Sequence, residues 1–177
     1  TVDIKDSKEY IFTNNIPKEA LDIFDKAETK RSPAGWALQY LWNYPEVKLV
    51  LSGMGNMDHI KDNIEEACKS GENILTDNDK KVISDVKDVF LKKTLVNCTG
   101  CKYCMPCPAG VNIPYIFELY NIYGMFNDLE TSKFDYGAYL TDKEKADNCI
   151  KCGKCEMACP QNIKIRDMLA EVTKTLG

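Results

Sequence analysis

Eight of the nine cysteines in this 177-residue chain fall within two short runs. The first, CTGCKYCMPCP at 98–108, sets Cys98, Cys101, Cys104 and Cys107 at every third position and ends on Pro108. The second, CIKCGKCEMACP at 149–160, holds Cys149, Cys152, Cys155 and Cys159 and ends on Pro160. Soft thiolates gathered in fours select zinc, copper(I) or iron–sulfur clusters. A disulfide scaffold would spread its cysteines along the chain, and no secretory n-region or h-region precedes them. The expected chemistry is therefore metal or redox work in the cytoplasm.

Zinc prefers two cysteine pairs a dozen or more residues apart, because two knuckles close one tetrahedron. Each run here offers three closely spaced thiols and a fourth followed by proline. That layout suits a cubane cluster. Cysteines at i, i+3 and i+6 can wrap three iron corners while backbone N–H groups face the sulfides, and the fourth corner is reached from elsewhere. The second run has the C-x₂-C-x₂-C-x₃-C-P spacing of bacterial two-cluster ferredoxins and resembles them in full; the first has one residue fewer between Cys104 and Cys107. In those ferredoxins the fourth cysteine of a run ligates the other cluster. The resemblance implies one [4Fe–4S] cluster on Cys98, Cys101, Cys104 and Cys159, and a second on Cys149, Cys152, Cys155 and Cys107. Pro108 and Pro160, which have no N–H to donate, turn the chain out of one loop toward the neighbouring cluster.

The runs are also halves of an internal repeat. CPAGVNIPYIF (107–117) and CPQNIKIRDML (159–169) pair Val111 with Ile163, Ile113 with Ile165, Ile116 with Met168 and Phe117 with Leu169. Each half reads as a loop of ligands followed by a helix, the two related by a pseudo-twofold axis. The long, helically patterned gap between the runs resembles the α-helical ferredoxins, which carry electrons inside larger oxidoreductases.

Several other elements are expected around these loops. Residues 17–30 place Leu21, Phe24 and Ala27 on one helical face after Pro17, and residues 32–44 start a helix on Ser32 and Pro33. VKLVLSGM (47–54) has the β-branched, continuous apolar texture of a buried strand, with residues 1–12 a second strand candidate. A helix from Asp58 is expected to turn Ile60, Ile64, Ala67 and Cys68 inward and to stop at Gly71. Thr76 caps a long helix burying Ile83, Val86 and Phe90. Further helices are predicted over IPYIFELYNIY, over TDKEKADNCI with the capping pair Thr141 and Glu144, and through Ile165, Leu169, Val172 and Leu176.

Residues 32–64, SPAGWALQYLWNYPEVKLVLSGMGNMDHIKDNI, resemble the end of an aldo/keto reductase barrel: helix 7, strand 8, its loop and the next helix. The linked cysteine pattern resembles the branch of that family with a C-terminal ferredoxin-like domain. The resemblance implies a mainly α chain: residues 1–95 would be the incomplete C-terminal end of the barrel, and 96–177 a helical domain with two [4Fe–4S] clusters. It also implies that Ser52, Gly53, Met54, Gly55 and Asn56 meet the adenosine end of NADP(H) or NAD(H) in the full-length protein. Asp62 and Asn63 fall where a Glu-Asn pair meets the adenine. A glycine-rich turn at a helix start offers unpaired N–H groups to a phosphate. His59 stands where the family often has an arginine for the 2′-phosphate, so the choice between the two nucleotides stays open. The family's catalytic Asp, Tyr, Lys and His lie on earlier strands, so no catalytic residue is assigned. The chain begins at Thr1 in a polar segment and reads as a fragment of something longer.

The function expected is that of the iron–sulfur, electron-transfer portion of an oxidoreductase whose active site lies upstream. Its partners would be that barrel or a separate redox protein. The alternative is a metal-stapled helical module that binds partners and has no redox role. A net charge of −4 supplies no basic footprint for nucleic acid, and no apolar run approaches the ~20 residues of a membrane span. Plainer roles account for the rest. Cys68 reads as a small buried hydrophobe, His59 as a solvated helix-start residue, Trp36 and Trp42 as packing, and the acidic runs at 58–66 and 142–147 as solvated faces.

Overall fold

The structure, a computed structural model, describes residues 16–177; the strand candidate at 1–12 lies outside them. The described residues contain helices and turns and no strand. The chain divides into two compact units, one ending at Lys92 and the other running Lys93–Gly177.

The first unit holds α1 (Lys18–Lys26), α2 (Pro33–Trp42), α3 (Met57–Cys68) and most of α4 (Asp77–Lys93). Ser32 caps α2 by accepting the Gly35 N–H at 2.8 Å, with Pro33 in the first turn as expected. Thr76 likewise accepts the Asp79 N–H at the start of α4. Phe24 of α1 stacks on the buried Trp36 at 5.8 Å between ring centroids, and the Arg31 guanidinium lies 4.6 Å from the Trp36 ring centre. Arg31 also faces two buried carboxylates, Asp79 at 3.3 Å and Glu66 at 3.8 Å.

That half-buried cation overturns the predicted inner face of α3. Glu66 is buried, whereas Ile64, Ala67 and Cys68 are exposed and Ile60 is half-buried. Gln39 of α2 donates to both the backbone oxygen and the carboxylate of Glu66, and α3 packs on α2 along this side. A carboxylate given an arginine and an amide outcompetes a short aliphatic stripe for the interface. Cys68 is therefore an exposed thiol and not a core residue.

Residues 47–54 are a second correction. They form no strand, and Leu49 and Leu51 are 78% and 89% exposed. A strand exists only by hydrogen bonding to a neighbour, and the described residues supply none.

The second unit is built on α5 (Ile113–Phe126), α6 (Leu129–Ala138), a short α7 (Lys154–Ala158) and α8 (Ile165–Leu176). Its core joins Val96, Val111, Ile113, Ile116, Phe117, Leu119, Tyr136 and Leu140 to Ile165, Leu169, Val172 and Leu176. The predicted inner face of α8 is therefore the observed one. TDKEKADNCI is not one helix. It makes two 3₁₀ turns, Asp142–Glu144 and Ala146–Asn148, separated by an extended Lys145 at φ −69°, ψ 156°. The Thr141–Glu144 capping box is present, but the Ala146 N–H is taken by the Tyr136 hydroxyl at 2.8 Å, so the ladder stops there.

Candidate metal centres

Each cysteine run leaves the core through an anchored residue and returns to it as a helix. The first departs from Val96. Its backbone N–H and carbonyl are both held by the Asn121 side chain of α5, at 2.8 Å each. The second departs from Ala146, fixed by Tyr136. Each run returns through a matched turn. Gly110 and Asn162 donate to the carbonyls of Cys107 and Cys159, and Ile113 and Ile165 donate to Val111 and Ile163 at the starts of α5 and α8.

The repeat extends to backbone conformation. Left-handed residues stand at Gly100, Lys102 and Gly110 in the first run, and at Lys151, Gly153 and Asn162 in the second. Counted from each run's second and fourth cysteines these are the same three positions. Left-handed residues therefore flank both Cys101 and Cys152, the alternation from which backbone anion nests are built. The backbone N–H groups of residues 99–103 and 150–154 donate to no acceptor among the described residues. Exposed loops with unspent donors at matching places suit a sulfide-bearing anion bound inside each.

Two cavities lie under the loops, each with about 330 Å³ of space that opens to solvent. The walls of one contain Cys98, Cys101, Cys104 and Cys159, against Phe117 and Ile165. The walls of the other contain Cys149, Cys152, Cys155 and Cys107, with Cys104 also reaching it, against Ile113 and Leu169. Each cavity thus brings together three thiols of one run and the last thiol of the other. Six of the eight cysteines are half-buried, while Cys101 and Cys152 are exposed. Among the described residues, no three His, Cys, Asp or Glu side chains come close enough together to hold one metal ion. The thiols ring open spaces instead.

Burial pushes the Cys104 thiol up to about 11, with the neighbouring Cys98, Cys155 and Cys101 adding to the rise. Burial likewise raises Cys155, helped by Glu156 and Cys149. Unligated, these two sulfurs keep their protons at neutral pH; a bound metal has to displace them.

The residues matched to a nucleotide site gather at the start of α3. Asn56 caps the helix, its side-chain oxygen accepting from the N–H groups of Asp58 and His59. Asp62 accepts the Ser32 hydroxyl at 2.6 Å, and Asn63 donates to Ser52 at 2.7 Å. Gly53 and Met54 lie in the exposed segment between. The polar groups of Asn56, Asp62 and Asn63 therefore have partners within the protein.

One functional feature was missed in the sequence. Glu156 and Arg166 clamp each other beside the second cavity, through 2.7 and 3.0 Å contacts from the guanidinium and 2.8 Å from the Arg166 N–H. Glu156 follows the half-buried Cys155 and Arg166 the core residue Ile165, and breaks in the symmetry of the repeat were the available signal.

Residues 97–163, which contain all eight clustered cysteines, match the family model of the 4Fe-4S dicluster domain. This part of the chain is a ferredoxin-type iron–sulfur domain. No curated protein and no solved structure matches the chain. No helix of the described residues is long and apolar enough to cross a membrane.

Proposed function

We propose that the chain is the electron-transfer portion of an aldo/keto reductase-like oxidoreductase, passing electrons through two [4Fe–4S] clusters to or from an active site upstream. The observation that carries this reading is the pair of cavities, each lined by three thiols of one run and the fourth thiol of the other, with Cys104 reaching both. Cys98, Cys101, Cys104 and Cys159 would hold one cluster, and Cys149, Cys152, Cys155 and Cys107 the second. A cubane cluster, once bound, takes up and releases single electrons without a change of ligands.

The protein's own residues do the rest. Phe117 and Ile165 give the first cavity an apolar wall, and Ile113 and Leu169 the second. The unspent N–H groups of 99–103 and 150–154 are available to sulfide and thiolate charge. Cys104 lies in the walls of both cavities and puts the sites within one residue of each other. The exposed Cys101 and Cys152 give each site an edge at which a redox partner, or the upstream barrel, can exchange electrons.

The barrel half of the proposal rests on the 32–64 pattern and on the exposed, strand-like 47–54 segment, whose Leu49 and Leu51 are left for strands outside the described residues to cover. In the complete protein the 52–56 turn would meet NADP(H) or NAD(H), provided that Asn56, Asp62 and Asn63 release their internal partners. The site of action is cytoplasmic.

Anaerobic purification followed by iron, sulfide and zinc assays tests the central claim. Two cubanes require about eight iron and about eight sulfide per chain, with a broad band near ~400 nm that bleaches on reduction. Stoichiometric zinc without sulfide, in protein made with iron available, would establish the stapled, redox-inert module instead.

A further inference from the structure

Apart from Cys104, which lines both, the two cavities follow the repeat in their thiols, and they break it at the start of the helix that follows. Ile113 and Ile165 are equivalent, so the next positions are too: Pro114 in the first half and Arg166 in the second. Cys104 is followed by Met105, whereas Cys155 is followed by Glu156. The first half therefore has no counterpart of the Glu156–Arg166 clamp.

Arg166 lines the second cavity and Glu156 does not. The guanidinium lies 3.9 Å from the point where a Cβ on Gly153 would stand, beside the loop that carries Cys152. Nε and Nη2 are committed to Glu156, while Nη1, on the Gly153 side, has no protein acceptor among the described residues. The first cavity has a cation of its own in Lys102, but Lys102 is exposed and its ammonium makes no hydrogen bond or ion pair among the described residues. Both cations meet solvent, but the Lys102 ammonium swings on a free stem, whereas two contacts from the Arg166 guanidinium and one from its backbone N–H hold that planar group in place with a spare donor.

We propose that Arg166, locked by Glu156, is a positioning residue that supplies a fixed cation and an N–H donor to the cluster in the Cys107/Cys149/Cys152/Cys155 cavity, making it the more easily reduced of the two. This rests on the reading that both cavities take clusters. An added electron makes a thiolate-ligated cluster more negative, so a nearby fixed cation and hydrogen bond favour the reduced form. The symmetric ligand set would otherwise give two nearly equal sites. The clamp makes them unequal and sets the resting place of the first electron.

The test is a potentiometric titration of the full, anaerobically loaded chain, followed by electron paramagnetic resonance. Wild type should show two midpoints. Arg166→Gln should lower the higher midpoint and leave the lower one in place, while Lys102→Gln leaves the higher one unmoved. Two unmoved midpoints in Arg166→Gln, a shift of the lower one alone, or a single midpoint in wild type that stays single would each overturn the proposal. If Arg166→Gln does not load, Arg166→Met is titrated instead. Failure of both variants to hold about eight iron would also overturn it, because Arg166 would then build the site and not tune it. Wild-type protein without sulfide defeats the cluster reading itself. Wild-type protein with clusters and an unmoved Arg166→Gln titration defeats only this inference.

Discussion

Asn121 holds Val96 by both faces of its amide: its oxygen accepts the Val96 N–H at 2.8 Å, and its nitrogen donates to the Val96 carbonyl at 2.8 Å. The same oxygen also accepts the Leu95 N–H at 3.1 Å. One side chain of α5 thus pairs the backbone just before Cys98. Asn121→Leu should leave the Leu95 and Val96 N–H groups unpaired, the Val96 carbonyl keeping only the Cys98 N–H, and cost about 2 kcal/mol. Denaturant titration of the loaded protein measures the loss, and faster release of iron to a chelator should accompany it. Unchanged stability would mean that water satisfies Val96 equally well.

The crossed ligand sets predict reciprocal damage. Cys107→Ala should disturb the spectrum of the cluster held by Cys149, Cys152 and Cys155, and Cys159→Ala that of the cluster held by Cys98, Cys101 and Cys104. Resonance spectra of the two variants under reducing conditions distinguish the sites. If each substitution harms only the cluster of its own run, the ligands do not cross.

Removing Arg31 should be among the most damaging single changes in the first unit. Its side chain is 12% exposed, and those of Glu66 and Asp79 are 4% exposed each. Arg31→Met keeps most of the volume against Trp36 but takes the cation from Asp79 and leaves Glu66 with Lys69 and Gln39 alone, at a cost of about 3 kcal/mol. Trp36 fluorescence during urea unfolding provides the readout.

Asp79 makes this unit sensitive to acid. Burial by itself would raise Asp79, but hydrogen bonds from the Thr76 backbone and hydroxyl and from Thr29, together with the Arg31 charge, bring it below the ordinary 3.8. A carboxyl lowered by folding stabilises the fold above its unfolded pKa, and that contribution is lost as pH falls through the folded value. The stability gap between wild type and Asp79→Asn should therefore be full at pH 7 and shrink below about pH 4. A gap independent of pH would show that Asp79 acts by shape and not by charge.

Chemistry carried by spacing and local conformation was legible in the sequence. The cysteine intervals and Cys-Pro pairs, the starts of α2 and α4 at Ser32 and Thr76, the capping box at Thr141, and the inner face of α8 all depend on residues a few positions apart. So did the iron–sulfur domain itself, since a ligand run encodes its own metal.

Tertiary structure decided what needs a distant partner. Ile64 and Ala67 lost the inner face of α3 to Glu66 because Arg31 and Gln39, more than twenty residues away, offer a buried carboxylate more than apolar neighbours could offer a methyl group. VKLVLSG is not a strand here because its propensity creates no hydrogen-bond acceptor where the described residues supply none. TDKEKADNCI broke into two turns because Tyr136 claimed an N–H that a helix would have used. The Glu156–Arg166 clamp joins a half-buried carboxylate and an exposed guanidinium ten positions apart, a pairing that exists only because α7 and α8 pack against each other. Periodicity describes one element at a time. Which face is buried, and which charge is fixed beside which thiol, follows from the free energy of the groups that meet across elements.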